Sequence, residues 1–197
     1  MKKIMFFCFL LGTMCSYSQS NTDINPFRIG VRGGVPTGVG LEFEYATPLL
    51  QNRIAPFISY GMFPFVDDYE FSFFEVGSNI YFGSKGKGGY VVVSYGDLNA
   101  EVSNLSGETD SGERFENGES KEQLSSFNLK LGWKYGSTLY FRIEGGYAFG
   151  KLPQTLEVTG DVNGNRETFY YTYGDDVFDY ISGNGYAMLT LGIGYSF

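Results

Sequence analysis

Along most of this chain, apolar and polar residues alternate with a period of two. The last nine residues show it most cleanly: Leu189, Leu191, Ile193, Tyr195 and Phe197 are apolar, while Thr190, Gly192, Gly194 and Ser196 are small. Strand side chains point to opposite faces in turn, so this segment predicts a strand with one greasy face and one nearly bare face. The same alternation predicts strands over Phe27–Arg32, Gly38–Tyr45, Ile54–Phe63, Tyr69–Phe82, Tyr90–Val102, Phe127–Tyr135 and Leu139–Gly150. Phe127, Leu129, Leu131, Trp133 and Tyr135, set against Asn128, Lys130, Gly132 and Lys134, are another clear case. Pro56 is expected near a strand start or at a bulge, since it cannot donate to a ladder.

With the terminal strand these make eight, linked by a tight turn at 33–37 and an interruption at Asp67-Asp68, by short turns near 46–53, 84–89 and 136–138 that share one end, and by long excursions near 104–122 and 152–184 at the other. An even strand number with turns short at one end and long at the other predicts an all-β, antiparallel, up-and-down barrel that crosses a membrane. Inside the second excursion, Thr155–Val162 and Asn165–Tyr173 flank Asn163-Gly164, a hairpin signal. It reads either as a hairpin projecting above the barrel or as two further strands, which would make ten. Glu157, Asp161, Arg166 and Glu167 make it polar for a lipid-crossing pair and favour the projection.

A bare strand face suits the narrow lumen of a small barrel, where inward side chains compete for space. Assigning the greasy face to lipid sends Arg28, Arg32, Lys130, Lys134 and Arg142 inward with Glu42, Glu44, Glu75 and Glu144. Such a near-balanced set predicts a salt-bridged plug, with a gated ion path through the same residues as the alternative. Phe27, Tyr45, Phe82, Tyr90, Tyr135 and Phe197 fall at the short-turn rim, as an interfacial aromatic girdle would. Periodicity alone also admits a soluble, lipocalin-like barrel with the apolar face inward. The Gly/Ser face of the last strand would be a poor solvent surface and counts against it.

The terminal segment, with Phe197 last, Tyr195 two places before it and alternating apolar residues upstream, resembles the C-terminal signal of bacterial outer-membrane barrels. The 197-residue chain is similar as a whole to small outer-membrane barrels of the OmpA/OmpX type, without a periplasmic domain after Phe197. The resemblance implies that periplasmic chaperones and the barrel-assembly machinery read Leu189, Leu191, Ile193, Tyr195 and Phe197. It implies residence among the lipid and lipopolysaccharide of a Gram-negative outer membrane, and a structural or surface-interaction role. Fold analogy assigns no function by itself. The alternatives are a porin-like channel for small solutes or ions and a lipid-modifying enzyme.

Composition adjusts this picture in three places. Met1-Lys2-Lys3, an apolar run from Ile4 to Met14 and small residues after it predict a secretory signal peptide, with 1–19 removed and 20–197 forming the barrel. Met14 is bulky for a lipobox, so Cys15 is not expected to carry lipid. Both cysteines lie in that leader, which leaves the exported chain without disulfides. Removing Lys2 and Lys3 from the 14 basic residues leaves 12 against 22 acidic ones, a net charge of -10 that disfavours nucleic acid as a partner.

Candidate chemistry is sparse. The chain has no histidine, which excludes a Ser-His triad and imidazole-assisted lipid chemistry, and with no cysteine left zinc loses its usual ligands. Ser84-Lys85-Gly86-Lys87-Gly88-Gly89 lacks the spacing of a nucleotide-binding loop and reads as a turn. Asp161-Val162-Asn163-Gly164-Asn165 begins like a calcium loop, but Arg166 and Thr172 stand where Gly and Glu are needed. No enzyme activity, cofactor or metal site is therefore expected. Acidic residues in the excursions (Glu108, Asp110, Glu113, Glu116, Glu119, Asp175, Asp176, Asp179) read as a solvated surface, with weak divalent bridging to lipopolysaccharide as the alternative. Phe169, Tyr170, Tyr171 and Tyr173 read either as a contact edge or as the outer girdle.

Overall fold

In a computed structural model, the described residues are 24–63, 69–108, 113–150, 155–172 and 185–197. The expected signal peptide, Asp67-Asp68, Asp110, Asp175, Asp176, Asp179 and Tyr173 lie outside them. Ten strands follow in order: β1 (Phe27–Val35), β2 (Gly38–Tyr45), β3 (Ile54–Met62), β4 (Tyr69–Tyr81), β5 (Gly88–Glu108), β6 (Arg114–Gly136), β7 (Leu139–Phe149), β8 (Thr155–Val162), β9 (Asn165–Thr172) and β10 (Gly185–Ser196). Pairing runs antiparallel from β1 through β7 in sequence order, then from β7 to β10 and back to β1. Eight strands thus close a ring, and β8 and β9 stand outside it.

The seam pairs Arg28 with Ser196 and Val35 with Leu189, and Phe27 and Phe197 exchange two backbone hydrogen bonds of 3.1 and 2.8 Å beyond it. A closed ladder leaves no edge with unpaired amides, the condition for backbone to cross hydrocarbon. Pro56 lies near the start of β3, before the β2 ladder begins at Phe57.

The apolar positions point outward and the ionic ones inward. Leu131, Trp133, Phe141, Leu191 and Ile193 are 45–65% exposed, whereas Arg32, Glu44, Glu75, Lys130 and Glu144 are no more than 1% exposed. This is the inverse of a water-soluble core, and it removes the lipocalin-like alternative. On β7 the outward band runs from Leu139 to Phe149. At about 3.3 Å per residue and a tilt of about 40°, it is roughly 25 Å tall, the height of a membrane barrel's apolar belt.

The first excursion differs from expectation. Residues 104–122 are for the most part strand, because β5 runs to Glu108 and β6 begins at Arg114, with register shifts near Leu105. Outward residues change from Val93 and Tyr95 to Asp97, Asn99 and Glu101 on β5, and from Phe127 to Ser125, Gln123 and Lys121 on β6. Tyr95 pairs with Phe127 and Asp97 with Ser125, so both strands change character at one level. Above it, polar cross-strand pairs hold the ladder: Lys121 Nζ to Glu101 at 2.8 Å and Gln123 Nε2 to Asp97 at 2.7 Å. Without an apolar face, that extension carried no period-two signal.

The hairpin β8–β9 joins the same projection. β8 pairs with β6 at Phe115, Glu116 and Glu119, and Phe115, Val158 and Val162 form a small cluster with Leu105 and Phe169 against it.

Candidate functional site

The nine charges assigned to the interior from sequence all lie inside the ring, each no more than 5% exposed. They form two linked groups along the axis. Nearer the short turns, Glu44 takes Arg142 Nη2 at 2.8 Å, Asn79 Nδ2 at 2.7 Å, the Tyr81 hydroxyl at 3.1 Å and, through its other contacts, Arg28 and Lys134. Three cations therefore converge on one carboxylate.

Deeper in, Arg32 spans the lumen. It reaches Glu42 on β2 at 2.8 Å, Glu75 on β4 at 3.2 Å and Glu144 on β7 at 3.1 Å. Lys130 on β6 contacts Glu75 at 3.0 Å and Glu144 at 2.9 Å, and Arg142 touches Glu42 as well. Neutral donors complete the carboxylates: Ser94 Oγ and Asn128 Nδ2 to Glu75 at 2.6 and 3.2 Å, and the Tyr90 hydroxyl to Glu144 at 2.8 Å. Burying ions costs several kcal/mol each, and only such dense pairing offsets it. Chemically, the arrangement cross-links opposite walls, and each carboxylate is held by at least two cations.

Rings share this interior, and the sequence reading did not place them there. Tyr90, expected at the rim, is instead fully buried beside Tyr81, with ring centroids 4.9 Å apart. Its position on β5 has the inward parity of Val92 and Ser94, so the pleat turns it in, and Glu144 satisfies its hydroxyl. Tyr140 is 1% exposed, and the Lys134 ammonium lies 5.0 Å from both the Tyr81 and the Tyr140 ring. The signal for these rings was the glycine opposite each. A Cβ on Gly132 would lie 2.3 Å from Tyr90 Cζ, and one on Gly194 would lie 2.3 Å from Tyr140 Cζ. Gly192 leaves room for the Arg142 stem in the same way, at 2.9 Å from Cγ. The bare face of the final strand is the floor on which Tyr140 and Arg142 lie.

Leu189, Leu191, Ile193, Tyr195 and Phe197 all face outward along the seam, and the Phe197 ring stacks on Phe27 with centroids 6.1 Å apart. Of the candidate contact edge, Phe169 is half-buried against Phe115 at 4.5 Å, and Tyr170 is 62% exposed. The Tyr171 backbone pairs with Leu156 in the hairpin. Phe169 is thus part of the hairpin's own packing, because its parity on β9 turns it toward β6.

No family model matches the chain, and no curated protein does. Among solved structures it is similar to the N-terminal β-barrel domain of Pseudomonas aeruginosa OprF, at 16% identity over 88% of this chain and 98% of that one, with a TM-score of 0.49. It is also similar to Acinetobacter baumannii CarO2, at 14% identity over 89% of this chain and 100% of that one, with a TM-score of 0.43. A. baumannii CarO gives 13% identity over 87% and 98% of the two chains, with a TM-score of 0.43. Closure through eight antiparallel neighbours in sequence order, with ions inside and hydrocarbon side chains outside, makes the fold an up-and-down β-barrel.

Proposed function

We propose that this chain is an integral outer-membrane barrel of a Gram-negative bacterium, exported by residues 1–19 and without enzymatic activity. Its role is structural, and it presents the β5–β6 extension and the β8–β9 hairpin, with their acidic residues, at the cell surface. The observation that carries this reading is the apolar belt wrapped around an ionic interior. Only a hydrocarbon surround makes that arrangement favourable. Lipid and lipopolysaccharide are the partners of the wall. Chaperones and the assembly machinery are the partners of the segment ending in Tyr195 and Phe197.

The test is fractionation followed by gel migration with and without boiling. A folded barrel in the outer-membrane fraction shifts on heating; recovery in a soluble fraction refutes the reading. In planar bilayers the side-chain-filled lumen is expected to give no steady opening, and sustained nanosiemens-scale channels would establish the porin-like alternative instead. Phe197→Ser is expected to lower the folded outer-membrane fraction while the variant still refolds in detergent. Unchanged export and assembly would remove the terminal residue from the signal.

A further inference from the structure

The short-turn end of the barrel holds a cavity of about 260 Å³ at the mouth of the ring, partly open to the outside. Four cations line it, Arg28, Lys85, Lys87 and Lys134, together with Ser137 and Thr138. No carboxylate is among its lining residues in the described part of the chain. We infer that this cavity is a binding site for a small phosphate-type oxyanion.

Three observations carry the inference. First, the charge is only partly compensated: Glu44, the carboxylate below the cavity, is shared by Arg28, Lys134 and Arg142 and already accepts from Asn79 and Tyr81. Second, Lys134 is 2% exposed, and among the described residues its ammonium is held only by a long ion pair of 3.5 Å to Glu44 and by the Tyr81 and Tyr140 rings, each 5.0 Å away, with no short hydrogen bond. Buried ammonium groups are satisfied almost without exception, so this one, which lines the cavity, has donor capacity left for a ligand there. The Arg28 Nε is likewise buried without a partner.

Third, the β4–β5 turn is folded over the mouth. Gly86 sits so close that a Cβ there would lie 2.3 Å from Arg28 Nη2, which leaves Lys85 and Lys87 bracketing the opening. Cations that line one cavity repel one another, and a multiply charged anion relieves the repulsion. Phosphate, with several oxygens and up to two charges, matches three lysines, a guanidinium edge and two hydroxyls better than a single carboxylate does. The volume admits a phosphate with a few attached carbons. The inference needs only the folded barrel and does not depend on which membrane holds it.

The test is a titration of the full-length folded barrel in zwitterionic detergent micelles with inorganic phosphate, followed by amide shifts in a nitrogen-15 correlation spectrum. Saturable shifts confined to residues 85–87 and 136–138 are expected. The double variant Lys85→Gln/Lys87→Gln changes only exposed side chains and should weaken binding about tenfold. Lys134→Gln should abolish it, and the double variant keeps the test valid if that protein does not fold. A second arm dopes the micelles with phosphatidylglycerol and adds no phosphate. Saturation there identifies a lipid headgroup as the source of the oxyanion, and saturation in the first arm identifies a free one. Shifts that do not saturate in either arm, or that the double variant leaves unchanged, overturn the inference.

Discussion

The orientation of the wall can be tested by placing one arginine at successive depths on β6. Leu131 is 65% exposed and midway between Phe127 and Tyr135, the ends of that strand's outward apolar band. Four residues at about 3.3 Å each and a tilt of about 40° put it some 10 Å from either edge, near the midplane. Leu131→Arg should therefore destabilise the folded barrel by about 2–4 kcal/mol, and Tyr135→Arg at the rim by about 0–1. Gln123→Arg, two residues above the change from apolar to polar outward residues, should stay within about 0.5 kcal/mol of the parent. Reversible urea unfolding from phospholipid vesicles gives all three values. In a water-exposed wall, Leu131→Arg would be close to neutral, since an exposed leucine gains from replacement by a charge. Three equal effects, or a neutral Leu131→Arg, would refute both the embedding and the boundary between Ser125 and Phe127.

Three further outcomes follow from the interior and the projection. Glu44→Gln leaves three buried cations facing a neutral amide and should cost about 3–5 kcal/mol in the same unfolding assay, whereas a change below 1 would mean the lumen is hydrated enough to screen them. Gly194→Ala drives a methyl into the Tyr140 ring and the Ile29 carbonyl at 2.3 and 2.5 Å and should cost about 1–3 kcal/mol, while Gly145→Ala, whose Cβ meets nothing nearer than 4.0 Å, should be neutral. Phe169→Ala should loosen the hairpin locally by about 1–3 kcal/mol, read as faster amide exchange over 155–172 with the barrel's unfolding midpoint unchanged. A shifted midpoint would show the hairpin to be part of the ring's cooperative unit.

Strict alternation made the ring legible. Lys130 and Lys134 stand between Leu129, Leu131, Trp133 and Tyr135, so parity alone sends the lysines to one side and the apolar residues to the other. Glu42, Glu44, Glu75, Arg142 and Glu144 follow for the same reason. Parity does not say which carboxylate meets which cation, because partners such as Arg32 and Glu144 come from strands 112 residues apart. Nor does it separate an inward tyrosine from a rim tyrosine, since both are amphipathic, and Tyr90 was misplaced for that reason. The strand above the belt was illegible because its stability comes from backbone bonds and polar pairs such as Lys121–Glu101, which resemble loop composition. The cationic mouth was hidden too: Lys85 and Lys87 sit in an ordinary turn, and only folding carries them over Arg28 and Lys134.

In the ring β7 pairs directly with β10, so the β8–β9 hairpin is an appendix to the wall. Lengthening, exchanging or interrupting that segment at Asn163-Gly164 leaves strand number and shear as they are. The molecule can therefore remodel one end while its load-carrying cylinder stays constant. The β5–β6 extension has no such independence: past the register shifts near Leu105, its ladder continues into the strands that carry Lys130 and Tyr90. A force or a ligand applied at its tip would be transmitted down the same hydrogen-bonded rails to the ions within.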